Sequence, residues 1–329
     1  MSDLHKGAVV VDGLVISQWS RRTFEQMHEA GYTAASCTCS VWENLPGTLK
    51  NIAELKRLID EYDDILRPVH TTADIAAAKE EGRVGVILSW QNTSAIEDQL
   101  DYLRLYKDLG VGIVQLTYNT QNLIGSGCWE TTDSGLSDFG HDAVAEMNRV
   151  GIVIDLSHVG HKTSRETIEA STKPVIYSHI CPAALRPDRR NRDDEELRFI
   201  VDHGGFVGVT PFPWLMAAGS DATVEDFVDA LEYMIDVCGE DHVGIATDFG
   251  QDQPPTFTPW LMRDKGYGRI VGGLTVDTFE SIKMPEGIAS IAEFPNITAV
   301  MERRSWPEER ILKVLGQNWV ALLREVWGE

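Results

Sequence analysis

The chain has 329 residues, 43% of them hydrophobic and 24% charged, the balance of an ordinary globular protein able to bury a large core. Its 29 Lys and Arg stand against 51 Asp and Glu, a formal charge of -22 that repels polyphosphate and argues against nucleic acid as a partner. No run approaches 18 apolar residues, so no membrane-spanning helix is expected, and Met1–Lys6 lacks the basic-then-apolar order of a secretory signal.

Strand-like and helix-like segments alternate along the chain. Val9–Leu14 reads as a first strand and Ser20–Gly31 as an amphipathic helix; Thr33–Thr38 is a second strand, and Leu49–Tyr62 a helix apolar at 52, 55, 58 and 59. In Thr71-Thr72-Ala73-Asp74 a hydroxyl precedes an acid by three residues, the form of a cap opening a helix through Glu81. Val84–Leu88 and Gly112–Leu116 are the third and fourth strands, with a helix at Ile96–Leu109 between them. A helix at Asp138–Arg149 leads into a fifth strand, Ile152–Leu156; a helical stretch within Lys162–Thr172 then leads to a sixth, Val175–Tyr177. Glu195–His203 is a helix ended by Gly204-Gly205, Phe206–Val209 the seventh strand, Val224–Cys238 a long helix and His242–Ala246 the eighth strand. Gln251–Val276, rich in Pro, Gly and aromatics, is expected as a lid-like loop, and Pro307–Val326 as a closing amphipathic helix. Eight strands, each followed by a helical segment, predict an α/β fold, one (β/α)8 TIM barrel over 1–329. The near-continuous apolar runs fit strands buried on both faces.

Barrel enzymes build their sites at the carboxyl ends of the strands. In order those ends carry Ile16-Ser17, Cys39, Gln91-Asn92, Tyr118-Asn119, His158, His179, Thr210 and Asp248. His158 and His179 stand 21 residues apart, at the ends of consecutive strands that would open into one crevice. With Asp248 they form a candidate metal or acid–base cluster: neutral imidazoles and a carboxylate suit zinc or a similar divalent ion. A metal-free hydrogen-bonded triad is the alternative. Arg186, Arg189, Arg190 and Arg192 share a loop with Asp188, Asp193 and Asp194; such a run is ordinarily solvated, but one arginine could clamp a substrate carboxylate. Gly125-Ser126-Gly127 reads as a flexible turn, and Cys37 and Cys39, on one strand face, as small buried residues among five free thiols of a reducing cytoplasm.

Several segments together resemble the membrane (renal) dipeptidase family, peptidase M19: Gly135-Leu136-Ser137-Asp138-Phe139-Gly140, Asp155-Leu156-Ser157-His158-Val159, Ser178-His179, Arg189-Arg190-Asn191, Gly244–Phe249, Pro295-Asn296-Ile297-Thr298 and Gly316-Gln317-Asn318. The resemblance implies a barrel of the metal-dependent amidohydrolase type with two zinc ions that hydrolyses dipeptides, including those with a D-residue at the carboxyl end. It implies His158 and His179 as ligands of one metal, Arg190 as a contact for the substrate carboxylate and Asp248 as the catalytic acid/base.

The first strand departs from the family pattern. Family members end it in Asp-Gly-His-x-Asp, whose His and Asp hold the other metal; here it reads Asp12-Gly13-Leu14-Val15-Ile16. Gln91 stands at the bridging glutamate and Tyr118 at a substrate-contacting histidine. At most one metal is therefore expected, on His158 and His179, with Gln91, Asp248, Glu43 or a cysteine of the Cys37/Cys39 pair as further candidates. The expected function is a cytoplasmic, dipeptidase-like hydrolase of a small carboxylate-bearing amide. In it His158, His179 and Asp248 are catalytic, and Arg190, Tyr118, Gln91 and Asn92 shape the substrate pocket. A metal-free lyase or isomerase and a non-catalytic small-ligand binder are the rivals. A homodimer is expected because relatives often form one.

Overall fold

Nine short parallel strands organise the residues that the computed structural model describes, 1–262, 280 and 282–328. They are β1 (Val11–Val15), β2 (Ala34–Ser40), β3 (Leu66–Pro68), β4 (Val84–Trp90), β5 (Val111–Gln115), β6 (Val153–Asp155), β7 (Ile176–Ile180), β8 (Phe206–Val209) and β9 (Val243–Ile245). Eight follow one another around a ring in the order β1-β2-β4-β5-β6-β7-β8-β9. The ring closes just past β9, where Val15 bridges Phe249, Asp248 N donates to Leu14 O at 2.9 Å and Ile16 N to Phe249 O at 3.0 Å. The result is the (β/α)8 barrel the strand count predicts.

The ninth strand, β3, was not legible in the sequence. Leu66–Pro68 pairs with Val84–Val86, the first half of β4, whereas β5 pairs from Leu88 onward, so β3 sits on the same edge nearer the barrel's amino end. Three residues ending in proline carry no periodic signal. Other boundaries moved for local reasons. The helix read from Leu49 begins at Leu45, because the Asn44 side chain accepts from Gly47 N and a proline sits in the first turn. The expected helix Ile96–Leu109 is a 3-10 turn, Thr93–Ile96, and a separate helix, Asp101–Asp108. The Thr71 cap is present as a reciprocal capping box with Asp74, and Gly82 ends that helix at φ +64°. Of the lid-like stretch, 251–262 is described and contains a short helix, Phe257–Leu261; 263–276 lies outside the described residues.

The closing helix is interrupted and carries the barrel's floor. It runs as Glu308–Leu312, a π-turn at Lys313–Gln317 and Asn318–Trp327. Gly316 lets the turn lie against β1: a Cβ there would sit 2.4 Å from Val9 O. Trp319, fully buried, enters the amino end of the barrel through a notch of small residues. A Cβ on Gly13 would meet its ring at 2.0 Å and one on Gly244 at 2.7 Å. Its indole N–H donates to Ile245 O at 3.0 Å, and Phe206 packs on its ring at 4.4 Å. Val11, Ala34, Ile113, Val153 and Ile176 complete this apolar layer, so the polar strand ends are left at the opposite, open mouth. Among the described residues no helix is long and apolar enough to cross a membrane.

Candidate active site

Two buried carboxylates build the site's floor by stitching neighbouring strands. In β1, Asp12 accepts from Thr247 N (2.8 Å), Thr247 Oγ1 (2.6 Å), Leu14 N (3.2 Å) and the Tyr32 hydroxyl (3.1 Å), across the point where the barrel closes. Burial outweighs these bonds and raises its pKa to about 6. In β6, Asp155 accepts from Ser157 N and Oγ and from Ser178 N and Oγ, tying β6 to β7. Burial raises its pKa too.

On this floor stand the two histidines. His179 is fully buried and His158 faces the cavity, and their Nε2 atoms are 3.0 Å apart. The outer ring nitrogens are both engaged. Nδ1 of His158 lies 2.7 Å from Asn119 Oδ1, an acceptor, and so donates to it. Ser178 Oγ donates to Asp155, and so accepts from Nδ1 of His179 at 2.7 Å. That assignment leaves two Nε2 lone pairs facing one another. Burial, and then the Arg190 charge, hold both imidazoles well below their ordinary pKa, in the neutral form that binds metals. Tyr118 stacks on His158 with centroids 4.1 Å apart and meets Trp42 edge-on.

Arg190 is nearly buried and reaches between the two strand ends. One guanidinium nitrogen donates to Ser157 O and another to His179 O, at 3.2 Å for the latter. The residue also lines the cavity. The expectation of a solvated charge run is corrected for two of the loop's arginines. Arg192 is also fully buried, donating to Val159 O at 2.6 Å and lying over the Tyr177 ring. Asp248, on the residue after the β9 segment turns outward, has φ +56° and is only half-buried. Burial raises its pKa to about 7; Arg190 opposes that rise, while Asp12 and Asp155 add to it.

These groups meet in one cavity of about 590 Å³ at the mouth, lined by Gln91, Tyr118, His158, Arg190 and Asp248 among others. Asn92 does not reach it. Its amide donates to Ser94 Oγ at 2.9 Å and accepts from Asn122 at 2.9 Å, so this expected pocket residue braces the loop after β4 instead. Gln91 donates to Thr38 Oγ1 at 3.2 Å. Glu43 borders a separate cavity of about 510 Å³, where its carboxylate accepts from Val41 N. Cys37 and Cys39 are buried in the apolar core with their thiols on Ala35 O and Ser89 O. Gly125 and Gly127 are not a flexible turn: a Cβ on Gly127 would lie 2.1 Å from the Asn119 backbone. Sequence reasoning named Asn119 only as a strand end and missed Trp129, Phe212 and Trp214, whose loops fold over the cavity.

The donor set decides which metal content fits. At the positions that would hold a first zinc, Leu14 and Ile16 are buried hydrocarbon, and among the described residues no three His, Cys, Asp or Glu side chains form a group able to hold an ion. Two ions therefore do not fit. The facing Nε2 atoms, each with its Nδ1 proton committed outward, do suit one divalent ion with water in its other positions.

A closed parallel barrel with its polar groups at the carboxyl mouth defines a (β/α)8 barrel of the kind that carries enzyme sites. Within that class the chain belongs to the membrane dipeptidase family (peptidase family M19), whose sequence profile matches residues 17–264. The match begins directly after the altered end of β1. The chain is 29% identical over 282 residues to the dipeptidase tcpJ of Claviceps purpurea, covering 85% of this chain. It spans 60% of the length of the curated relatives it matches. Among solved structures, an amidohydrolase from Pseudomonas aeruginosa is 51% identical, with a TM-score of 0.96 and 99% of each chain covered. A metallo peptidase from Rhodobacter sphaeroides, liganded with a phosphinate mimic of L-Ala-D-Ala, shares the fold at 21% identity. Its TM-score is 0.82, with 97% of this chain and 99% of that one covered.

Proposed function

We propose that the protein hydrolyses the amide bond of a small, carboxylate-bearing, dipeptide-like substrate. The observation that carries this reading is the pairing of Arg190 and Asp248 at one cavity: a tethered guanidinium that lines it, beside a half-buried carboxyl poised near pH 7. Arg190 would grip the substrate carboxylate in the fork geometry a lysine cannot supply. Held so, the amide carbonyl lies within reach of the strand ends. Ionised Asp248 takes a proton from the attacking water and passes it to the departing amine. Tyr118 and the neutral imidazole of His158 wall the reacting bond. A divalent ion held by His158 and His179 would supply Lewis acidity at the carbonyl.

The test is amine release from a panel of dipeptides and N-acyl amino acids, with metal content measured on the same protein. Hydrolysis, at most one zinc per chain, and a KM raised about tenfold or more in Arg190→Lys are expected. Lack of cleavage across the panel would sink the reading. The two imidazoles without a third protein ligand favour one rival, a metal-free acid–base cluster serving a lyase or isomerase. Turnover that survives chelation and releases no amine would select it.

A further inference from the structure

The cavity has one charged pole, and the rest of its described wall is uncharged until the rim. Arg190 and Asp248 lie together at the barrel end, close enough to interact electrostatically. Beyond them the described wall mixes apolar side chains, Ile16, Trp129, Phe212, Trp214, Leu261 and Met284 among them, with neutral polar ones such as Gln91, Asn119 and Thr258. Ile16 and Leu261 pack with Tyr118, Val41 and Trp42 in one apolar cluster where the family pattern puts a metal-binding carboxylate. The other described acid in the wall is Asp252, at the rim beside Arg22 at 3.8 Å. Gln251 and Gln253 are neutral; their amide N–H groups donate to Gln26 Oε1 and Ile16 O, and Gln251 Oε1 accepts from Ile291 N at 3.3 Å.

A free dipeptide carries an ammonium and a carboxylate at opposite ends, about 7 Å apart when extended. With its carboxylate on Arg190, the ammonium would point away from Asp248 into a wall of rings, aliphatic groups and neutral amides that holds no further carboxylate short of the rim. A charge buried there without a partner is costly. If it turned back to Asp248 it would meet the Arg190 charge and occupy the group that must move the proton. Among the described residues no carboxylate other than Asp248 faces a cation inside the cavity short of the rim. An acyl chain, in contrast, gains by covering those rings.

We infer that the cavity takes N-acyl amino acids, an apolar uncharged acyl group on an amino acid with a free carboxylate, in preference to free dipeptides. This rests on the hydrolase reading for its chemistry but is a statement about binding, so the two can fail separately. A matched pair isolates the ammonium: 4-methylpentanoyl-glycine is leucyl-glycine without its amino group. Isothermal titration of the full chain should show the acyl compound binding at least about tenfold more tightly, a factor worth about 1.4 kcal/mol. Equal or tighter binding of leucyl-glycine, or no binding of either, overturns the inference. Ile16→Asp, which puts a carboxylate back in the wall, should move the ratio toward the dipeptide; an unchanged ratio in a folded variant counts against it. Should the acyl compound bind more tightly while neither amide is cleaved, the preference stands and the hydrolase reading falls.

Discussion

Asp248 shows how far a single carboxyl depends on its neighbours. Burial alone would push it up, Arg190 pulls it back, and the outcome is a group titrating near pH 7 rather than near 4. In the proposed role of base it must be ionised, so kcat/KM should fall about tenfold per pH unit below that value and level off above it. Asp248→Asn should lose activity by about 10²-fold or more and abolish this acid limb; a profile unchanged in shape would assign the limb elsewhere. The residue was legible because it ends an apolar run in Gly244–Phe249. Its poise was not legible, since Arg190, Asp12 and Asp155 come from three other parts of the chain.

At the scale of elements, the strands are held by polar bridges as well as by their ladders. Asp12 accepts from Thr247 N and Oγ1 across the seam between β1 and the segment after β9, and from Leu14 N on its own strand and the Tyr32 hydroxyl before β2. Asp12→Ala would orphan those buried donors and is expected to cost at least about 2 kcal/mol, read from urea unfolding; a variant within 0.5 kcal/mol of the parent, roughly the noise of surface changes, would remove the bridge from the account. The sign of its pH dependence follows from the raised pKa. The part linked to its proton is full below the ordinary value of 3.8 and is lost as pH rises through about 6, while the donors it satisfies keep their acceptor. The strands and most helices were readable from apolar runs and caps, as with Thr71 and Asp74. The short β3 was not, because its identity lies only in its pairing with β4. Asn92 failed for a related reason: sequence places a residue at a strand end but does not say which way its amide turns.

For the whole molecule, the closing helix makes the barrel one-ended. Trp319 fills the amino end under Gly13 and Gly244 and hydrogen-bonds Ile245 O, far along the chain from every strand it touches. Trp319→Ala should destabilise the whole barrel by about 3–5 kcal/mol, seen as one cooperative shift in thermal unfolding. A loss under 1 kcal/mol would show that the floor collapses to fill the void.

The sequence by itself determined the barrel, the family and the positions of His158, His179, Arg190 and Asp248, because local periodicity and short motifs record what each strand end carries. It also placed hydrocarbon at Leu14 and Ile16, which cannot coordinate a metal in any fold. Only the tertiary structure decided that the two imidazoles face each other while Asn119 and Ser178 hold their outer nitrogens. It alone decided that Arg190 and Arg192 are buried rather than solvated, and that Arg190 and Asp248 share one cavity. Burial and charge pairing depend on groups brought together from distant segments, and no local pattern encodes that distance.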